Sequence, residues 1–417
     1  MLRAAATRLA LLALAVLGAA LMSSVAAASR PNPTWERDGR PKFEEQGGAK
    51  PLRTSRTIPY WSSSFTDPTN GVTYPFTMVG ADPRTGASTT VPTEIVPLRF
   101  DFVAGNQNTQ SLALPEFGYP APAPLAVSMD ATGHDVSQAV ASPIFQAYAH
   151  ASILGGDTTQ AGDAFMRAQF GRIGSGYHVL LGQPQVLSTV TIDVPQKQGV
   201  AAINRRGVLV GRVDERWFSA TIQRLVDELG IDPTTLPIFL THDVVLYVGN
   251  DYSNCCVIGS HGASTPKLKP GKTIHTCVHA AYLTPNTFGG WGTPVGGLGD
   301  IHALSHEVSE WLDDPFGNNA VNPWLAPTAP QYGCTGLLET GDPVVGVWYP
   351  LAGNSDPGSD GYWHPEDEAF LSWFARNGQD PSLSSWDGRY TFMGPLTTGI
   401  DPAFGDFSGF ASPAQGC

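Results

Sequence analysis

From residue 57 onward, the first half of the chain consists of short runs of β-branched and aromatic residues separated by Gly, Pro and Asp. Such runs are typical of strands bounded by turns. The predicted strands cover 57–61, 72–79, 89–102 and 177–194. A helix is expected between the third and fourth of these strands, around 136–154, so the region 57–200 is predicted to be rich in β-structure.

The second half of the chain alternates strands with well-patterned helices. The predicted strands cover 207–213, 236–248 and 272–283. The first helix, 214–229, has apolar residues at helical spacing and begins at Asp214, a favourable N-cap. The second helix, 301–313, follows a glycine-rich stretch without phosphate-loop spacing, and Asp300 is expected to cap it. A further helix is predicted at 366–376.

The first 28 residues have the layout of a secretory signal peptide. Arg3 and Arg8 precede an apolar run over 9–21, and three alanines ending at Ala28 offer a cleavage site. The run is shorter than the ~20 residues that a membrane-spanning helix needs, although a retained anchor is the alternative. We expect cleavage after Ala28 and export. Residues 29–56 are expected to form a disordered leader or a short propeptide.

Composition narrows the possible partners and the compartment. A net charge of −13 without a block of Lys or Arg argues against nucleic acid and anionic membranes as partners. Export predicts disulfides, and an odd number of cysteines leaves at least one free or paired between chains. A cysteine zinc site is the alternative, but no C-x-x-C pair supports it. The cysteines are Cys255, Cys256, Cys277, Cys334 and Cys417.

The segment His306-Glu307-Val308-Ser309-Glu310 carries the strongest chemical signal. On a helix, His306 and Glu310 lie one turn apart, opposite the apolar stripe, so both can reach one ion. Glu307 lies roughly 60° further round, where its carboxylate could act on a metal-bound water. This is the geometry of His-Glu-x-x-His zinc hydrolases, with Glu310 in place of the second histidine. The alternative is the solvated polar face of an ordinary amphipathic helix.

A zinc site needs at least three protein ligands, and an acidic segment downstream offers candidates. Glu339 is the predicted third ligand, with Asp342 as its substitute or as a residue that orients a ligand, and Cys334 could tie this loop down through a disulfide. His302 is expected to bind the ion, to support a ligand or to face solvent. His364 is a candidate donor to the reacting oxygen, unless it is a structural histidine. One divalent metal is expected, zinc first, with manganese and calcium as alternatives.

Residues 305–315 resemble a group of secreted bacterial proteins that carry a Ser-His-Glu-x-x-Glu helix followed by Asp-Pro and a later Glu-x-Gly-Asp. The plant EXORDIUM, or phosphate-induced, proteins look distantly similar over the same two elements, and the resemblance is best over 273–376. The order of strand, long helix, strands and metal-bearing helix is similar to that of zincin metallopeptidases. The resemblance implies that His306 is the first ligand and Glu307 the general base. Glu310 departs from the zincin pattern, which has histidine there.

These observations predict an α+β fold. A zincin-like domain over 201–417, with a mixed sheet, a backing helix and a metal-bearing helix, is expected to pack with the β-rich region 57–200. The predicted function is secreted, metal-dependent, peptidase-like hydrolysis of a peptide or extracellular polymer, with Glu307 as base. The alternative is a non-enzymatic extracellular or cell-wall-associated binding protein with a structural metal. A closing fourth ligand, such as His302 or Asp342, would favour that alternative.

Overall fold

A computed structural model describes most of the chain between residues 55 and 394. The predicted signal peptide, and the predicted leader up to residue 54, lie outside the described residues. None of the described helices is both long enough and apolar enough to cross a membrane. The described residues are 55–103, 126–204, 206–249, 252, 254–264, 273–285, 287–288, 298–325, 334–377, 383 and 385–394.

Strands outnumber helices in the described part of the chain, and the fold is α+β. The helices are α1 (His134–Ala141), α2 (Ala161–Gln169), α3 (Glu215–Glu228), α4 (His302–Asp313) and α5 (Leu371–Phe374). The strands are β1 (Tyr60–Thr66), β2 (Thr73–Val79), β3 (Ser88–Val91), β4 (Thr93–Phe102), β5 (Val127–Asp130), β6 (Tyr148–Ala149), β7 (Thr158–Thr159), β8 (His178–Leu181), β9 (Gln185–Val186), β10 (Val190–Val194), β11 (Gly199–Ile203), β12 (Leu209–Asp214), β13 (Leu236–His242), β14 (Val244–Tyr247), β15 (Cys255–Val257), β16 (Gly259–Ser264), β17 (His275–Tyr282), β18 (Ala320–Leu325), β19 (Cys334–Leu337), β20 (Leu351–Ala352) and β21 (Tyr362–Trp363).

The largest sheet is mixed and has seven strands. Its main order is β10-β4-β13-β17-β16, and β5 and β9 also pair with β4. Neighbouring strands from β10 to β17 are parallel, whereas β16 runs antiparallel to β17 at the end of this order. Since β4 precedes residue 200 and β13 follows it, strands from both predicted regions share one sheet. A separate four-stranded sheet has the order β11-β12-β14-β15.

Helices cover both faces of the seven-stranded sheet. Successive side chains of a strand point to opposite faces, so neighbouring strand residues pack against different helices. On one face, Val278 of β17 belongs to the same apolar cluster as Val308 of α4 and Phe165 of α2. On the other face, Phe239 of β13 packs in a cluster with Ile222 of α3. Helix α4 lies against β17 and β16, so the metal-motif helix faces the antiparallel end of the sheet.

The two long helices of the second half form as predicted, but their N-termini differ. The Asp214 side chain accepts a hydrogen bond from the backbone N–H of Trp217 and caps α3, which confirms the prediction. The prediction that Asp300 caps α4 is wrong, because the N-cap residue is Ile301 and no side chain caps it. The Asp300 carboxylate instead lies 2.8 Å from Nδ1 of His364, and its backbone has φ +44°.

Two other predicted helices are shorter than expected. The predicted helix 136–154 is realised only as α1, which ends before Ser142 takes an extended conformation. Pro143 explains this end, because the residue before a proline is disfavoured in the helical region. Of the predicted helix 366–376, only the single turn α5 forms. Glu366 lies in extended chain that makes a β-bridge with Trp348.

Candidate metal centre

Helix α4 carries the predicted motif into the interior of the protein. All twelve of its residues are buried. His306 is 8% exposed, Glu307 4% and Glu310 3%, so the alternative of a solvated polar face does not hold. Strand β16 and the loops around Gly341 and Glu366 cover the polar side of the helix.

His306 presents one ring nitrogen to a group of oxygen ligands. Its Nε2 lies 3.2 Å from Oε1 of Glu310 and 3.8 Å from Oδ1 of Asp342. Ligand atoms of these three residues all lie within 4.8 Å of one another. Its other nitrogen, Nδ1, lies 2.6 Å from Oε2 of Glu366. A carboxylate on one nitrogen fixes the tautomer of an imidazole and directs the other nitrogen toward a metal.

Gly341 brings the downstream loop directly onto the His306 ring. A Cβ atom at this position would lie 2.6 Å from Cε1 and 2.8 Å from Cγ of His306, which is closer than real Cβ atoms approach. The Gly341 N–H also donates a hydrogen bond to Oε1 of Glu310, at 3.2 Å. The glycine therefore lets the loop position Asp342 beside the motif helix.

His261 is a residue of the centre that the sequence did not predict. It extends from β16, and its Nδ1 lies 3.3 Å from Oε2 of Glu307 and 3.3 Å from Oε2 of Glu310. These three residues form a second group of possible metal ligands. Gly259, two residues earlier on the same face of β16, lies so close that a Cβ atom would be 2.8 Å from Cδ of Glu307. In the sequence, the one local sign of this arrangement is that the histidine follows a glycine by two positions, which places both on the same face of a strand.

The structure places the remaining predicted site residues as follows. Glu339 lies beside His261, with its Oε2 3.8 Å from Nε2 of that ring, and Asp342 takes the third place in the His306 group. Nε2 of His302 lies 3.2 Å from Oε2 of Glu366, the same oxygen atom that contacts His306. Cys334 forms a disulfide, which confirms that prediction.

His364 lies among different partners. Its Nδ1 is 2.8 Å from Oδ2 of Asp300, and its Nε2 is 3.4 Å from Oδ2 of Asp360. The ring also stands edge-on to Trp348, with 4.6 Å between ring centroids. These contacts favour the structural alternative for His364 over a role as donor to a reacting oxygen.

Burial and crowded carboxylates set the protonation of the centre. Desolvation raises the pKa of Glu307 to about 7, against the opposing effect of His261 and His306. Desolvation and the charge of Glu310 raise the pKa of Asp342 to about 7, although 41% of this side chain is exposed and solvent screens part of the repulsion. Desolvation opposes the ionisation of Glu310, but the two imidazoles outweigh it and lower its pKa.

The same carboxylates hold the imidazoles in their cationic form. Burial disfavours the charged ring of His306, yet Glu310 and Glu366 raise its pKa well above the usual range. The pKa of His261 is likewise raised, by Glu307 and Glu310, despite the cost of burial. In this state protons occupy the positions that a metal ion would take, because ligands must lose their protons to bind.

Comparisons with known proteins leave the chain without an assigned family. No protein-family model, no curated protein and no solved structure matches it. The likeness to EXORDIUM proteins and zincins stays a prediction from the sequence. Evidence for function therefore comes from the side chains of this centre.

Proposed function

We propose that this chain is a secreted, peptidase-like hydrolase that depends on a divalent metal ion bound by His306, Glu310 and Asp342. The single observation that carries the proposal is this set of one imidazole and two carboxylates, two of the three residues buried, whose ligand atoms lie within 4.8 Å of one another. Three protein ligands with a position left open are typical of catalytic zinc. One imidazole with two carboxylates also suits manganese or calcium.

The electrostatics of the centre fit a cation. Among the charged groups that lower the pKa values of its carboxylates, the imidazoles have the largest effect. Buried carboxylates are costly unless they are paired or bind a metal. The buried carboxylates are Glu307, Glu310 and Glu366, and the partly exposed Asp342 adds a further negative charge.

Glu307 is the proposed general base. Its Oε1 lies 4.0 Å from Nε2 of His306, so the carboxylate borders the space that the ligand nitrogen faces. A general base must reach the proton it takes, directly or through one water. When bound, a divalent ion would polarise a carbonyl and acidify water. In the proposed reaction water adds to an amide carbon, the C–N bond breaks, and Glu307 passes the proton of water to the leaving nitrogen.

Exposure indicates the side from which a substrate would enter. The Asp342 side chain is 41% exposed, whereas those of Glu307 and Glu310 are almost fully covered. Solvent therefore reaches the centre past Asp342. The same covering of the other side chains is the observation that favours the alternative, a binding protein with a structural ion.

The fold and the cysteines are compatible with the proposal. A mixed sheet with an antiparallel strand beside α4 is consistent with a zincin-like arrangement. A disulfide joins Cys255 and Cys256, and Cys334 is also disulfide-bonded, which supports export to an oxidising compartment. Cys277 is free and buried, in line with the odd cysteine count.

The test begins with the secreted protein purified without chelators. Elemental analysis should find a divalent metal, and the protein should cleave members of a broad peptide library. Dialysis against a chelator should abolish cleavage, and returning the metal should restore it. Protein that binds no metal after reconstitution would contradict the proposal. Protein that holds its metal but cleaves nothing would favour the binding-protein alternative.

A further inference from the structure

The two carboxylate oxygens of Glu310 face two different imidazoles. Oε1 lies 3.2 Å from Nε2 of His306, and Oε2 lies 3.3 Å from Nδ1 of His261. Glu307 is oriented the same way, with Oε1 4.0 Å from Nε2 of His306 and Oε2 3.3 Å from Nδ1 of His261. Two carboxylates thus lie side by side between two ring nitrogens, the arrangement in which carboxylates bridge a pair of metal ions.

Each imidazole also has an outer carboxylate on its other nitrogen. Nδ1 of His306 lies 2.6 Å from Glu366, and Nε2 of His261 lies 3.8 Å from Glu339. An outer carboxylate that holds the second nitrogen is the usual support of a metal-binding histidine. The His261 side therefore has the same arrangement as the His306 side, but with a contact too long for a hydrogen bond.

His261 is poorly satisfied without an ion. The side chain is fully buried, and its Nε2 has no hydrogen-bond partner among the described residues, since Glu339 lies beyond hydrogen-bond distance. Buried polar atoms without a partner are rare in folded proteins. A cation on Nδ1 would make Nε2 a proton donor, and a small shift would bring it to Glu339.

We propose that the centre binds two divalent cations, with Glu310 bridging them. The proposal rests on the ion proposed above for His306, Glu310 and Asp342, and it adds a second ion at His261, Glu310 and Glu307. The second group of ligand atoms also lies within 4.8 Å. In this arrangement Glu307 is a ligand of the second ion through Oε2. The variant Glu307→Gln should therefore lose the second ion if the centre binds two ions, and should keep its metal content if the centre binds only the ion at His306.

Charge supports two ions better than one. Three carboxylates, Glu307, Glu310 and Asp342, lie around the two inner ring nitrogens, and Glu339 and Glu366 lie at the outer ones. Neutral imidazoles bring no charge of their own. Two divalent cations would offset four of these five negative charges, whereas one would offset only two and leave the rest to be neutralised by protons. Carboxylate-bridged metal pairs, ~3.5–4 Å apart, also occur in hydrolases.

The first measurement is the number of ions per chain. Apo-protein is equilibrated with Zn²⁺, and bound metal is counted by elemental analysis for wild type, His261→Gln and a control, His178→Gln. His178 pairs with Asp163 elsewhere in the fold. We expect two ions for wild type and the control, and one for His261→Gln. Glu307→Gln should also fall to one, while the single-ion arrangement predicts no change.

The second measurement detects the bridge itself. With two equivalents of Mn²⁺, the electron paramagnetic resonance spectrum of the wild type should show two exchange-coupled ions, and that of His261→Gln an isolated ion. Glu339→Gln leaves all proposed ligands in place and serves if His261→Gln fails to fold. It should weaken only the second binding step, by about 10–100-fold.

Three outcomes would overturn the two-ion centre. In the first, the wild type saturates at one ion and His261→Gln binds the same number. His261 would then be a charged partner of Glu307 and Glu310 and not a metal ligand, while the proposed hydrolase function would still stand. Two uncoupled ions in both proteins would place the second ion elsewhere. A wild type that binds no ion would remove the proposed function as well.

Discussion

Nδ1 of His306 lies 2.6 Å from the Oε2 atom of Glu366, a residue sixty positions further along the chain. Glu366 lies in extended chain and also approaches His302. It is therefore the residue that sets the orientation of His306, and it leaves Nε2 facing Glu310 and Asp342.

Replacing Glu366 with Gln should weaken metal binding without removing a ligand. The amide cannot stabilise the imidazole as a charged carboxylate does, so we expect affinity to fall about 10–100-fold. Competition with a chromophoric chelator measures this change. Glu228→Gln is the matched control, because Glu228 pairs with Arg224 on the exposed face of α3, away from the metal centre. Equal affinities for the two variants would show that Glu366 does not support the metal ligand.

Replacing Gly341 with Ala should disturb the centre through packing alone. The added methyl group would overlap the His306 ring, and overpacking of this kind costs about 1–3 kcal/mol. Chemical unfolding of the metal-free protein measures the loss of stability, and a metal titration measures the loss of affinity. Gly336→Ala is the control, since a Cβ atom there meets only ordinary contacts at 3.7 Å or more. A Gly341→Ala protein as stable as the control would contradict the close approach.

Glu307→Gln should separate binding of the first ion from catalysis. The ion bound by His306 should remain, while cleavage falls by about 10²–10⁴-fold, because the base is removed and the side chain keeps its size. His306→Ala should instead lose this ion and, since ligand binding is coupled to folding, some stability. Metal content and peptide cleavage are measured together for both variants. Full activity in Glu307→Gln would exclude Glu307 as the base.

Stability should fall at alkaline pH because of a histidine outside the metal centre. Burial would lower the pKa of His242, but Asp135 at 2.7 Å, with Asp243 and Asp130, raises it to about 9. The folded state thus holds the proton more tightly than the unfolded state, whose pKa is ~6.5. This contribution is complete below pH ~6.5 and disappears as the pH rises through about 9.

The measurement is the free energy of unfolding of the metal-free protein at several pH values from 6 to 10. The wild type should lose stability over this interval, and His242→Gln should lose less, because it has no proton to release. His134 also contacts Asp135, so His134→Gln is a useful comparison. Parallel pH profiles for wild type and His242→Gln would show that this pair does not affect stability.

Helices α3 and α4 could be predicted from the sequence because their patterns are local. Apolar residues at helical spacing, and a capping Asp214, are sufficient to define α3. Helix α2 was not predicted: Ala161, Ala164, Phe165 and Ala168 recur at helical spacing, but three of the four are alanines, so the apolar signal is weak, and the remaining residues are buried as well. Within it, Asp163 accepts hydrogen bonds from Thr159 and the backbone of Val179, partners that only the tertiary fold supplies.

The candidate site divides in the same way. Helical periodicity alone places His306 and Glu310 on one helix face, because residues four apart in a helix lie one turn apart. Tertiary packing brings two distant residues to them: His261, 46 positions before Glu307, and Glu366, 60 positions after His306. Contacts over such separations depend on how the sheet, the helix and the loops pack together, and no local pattern encodes that packing.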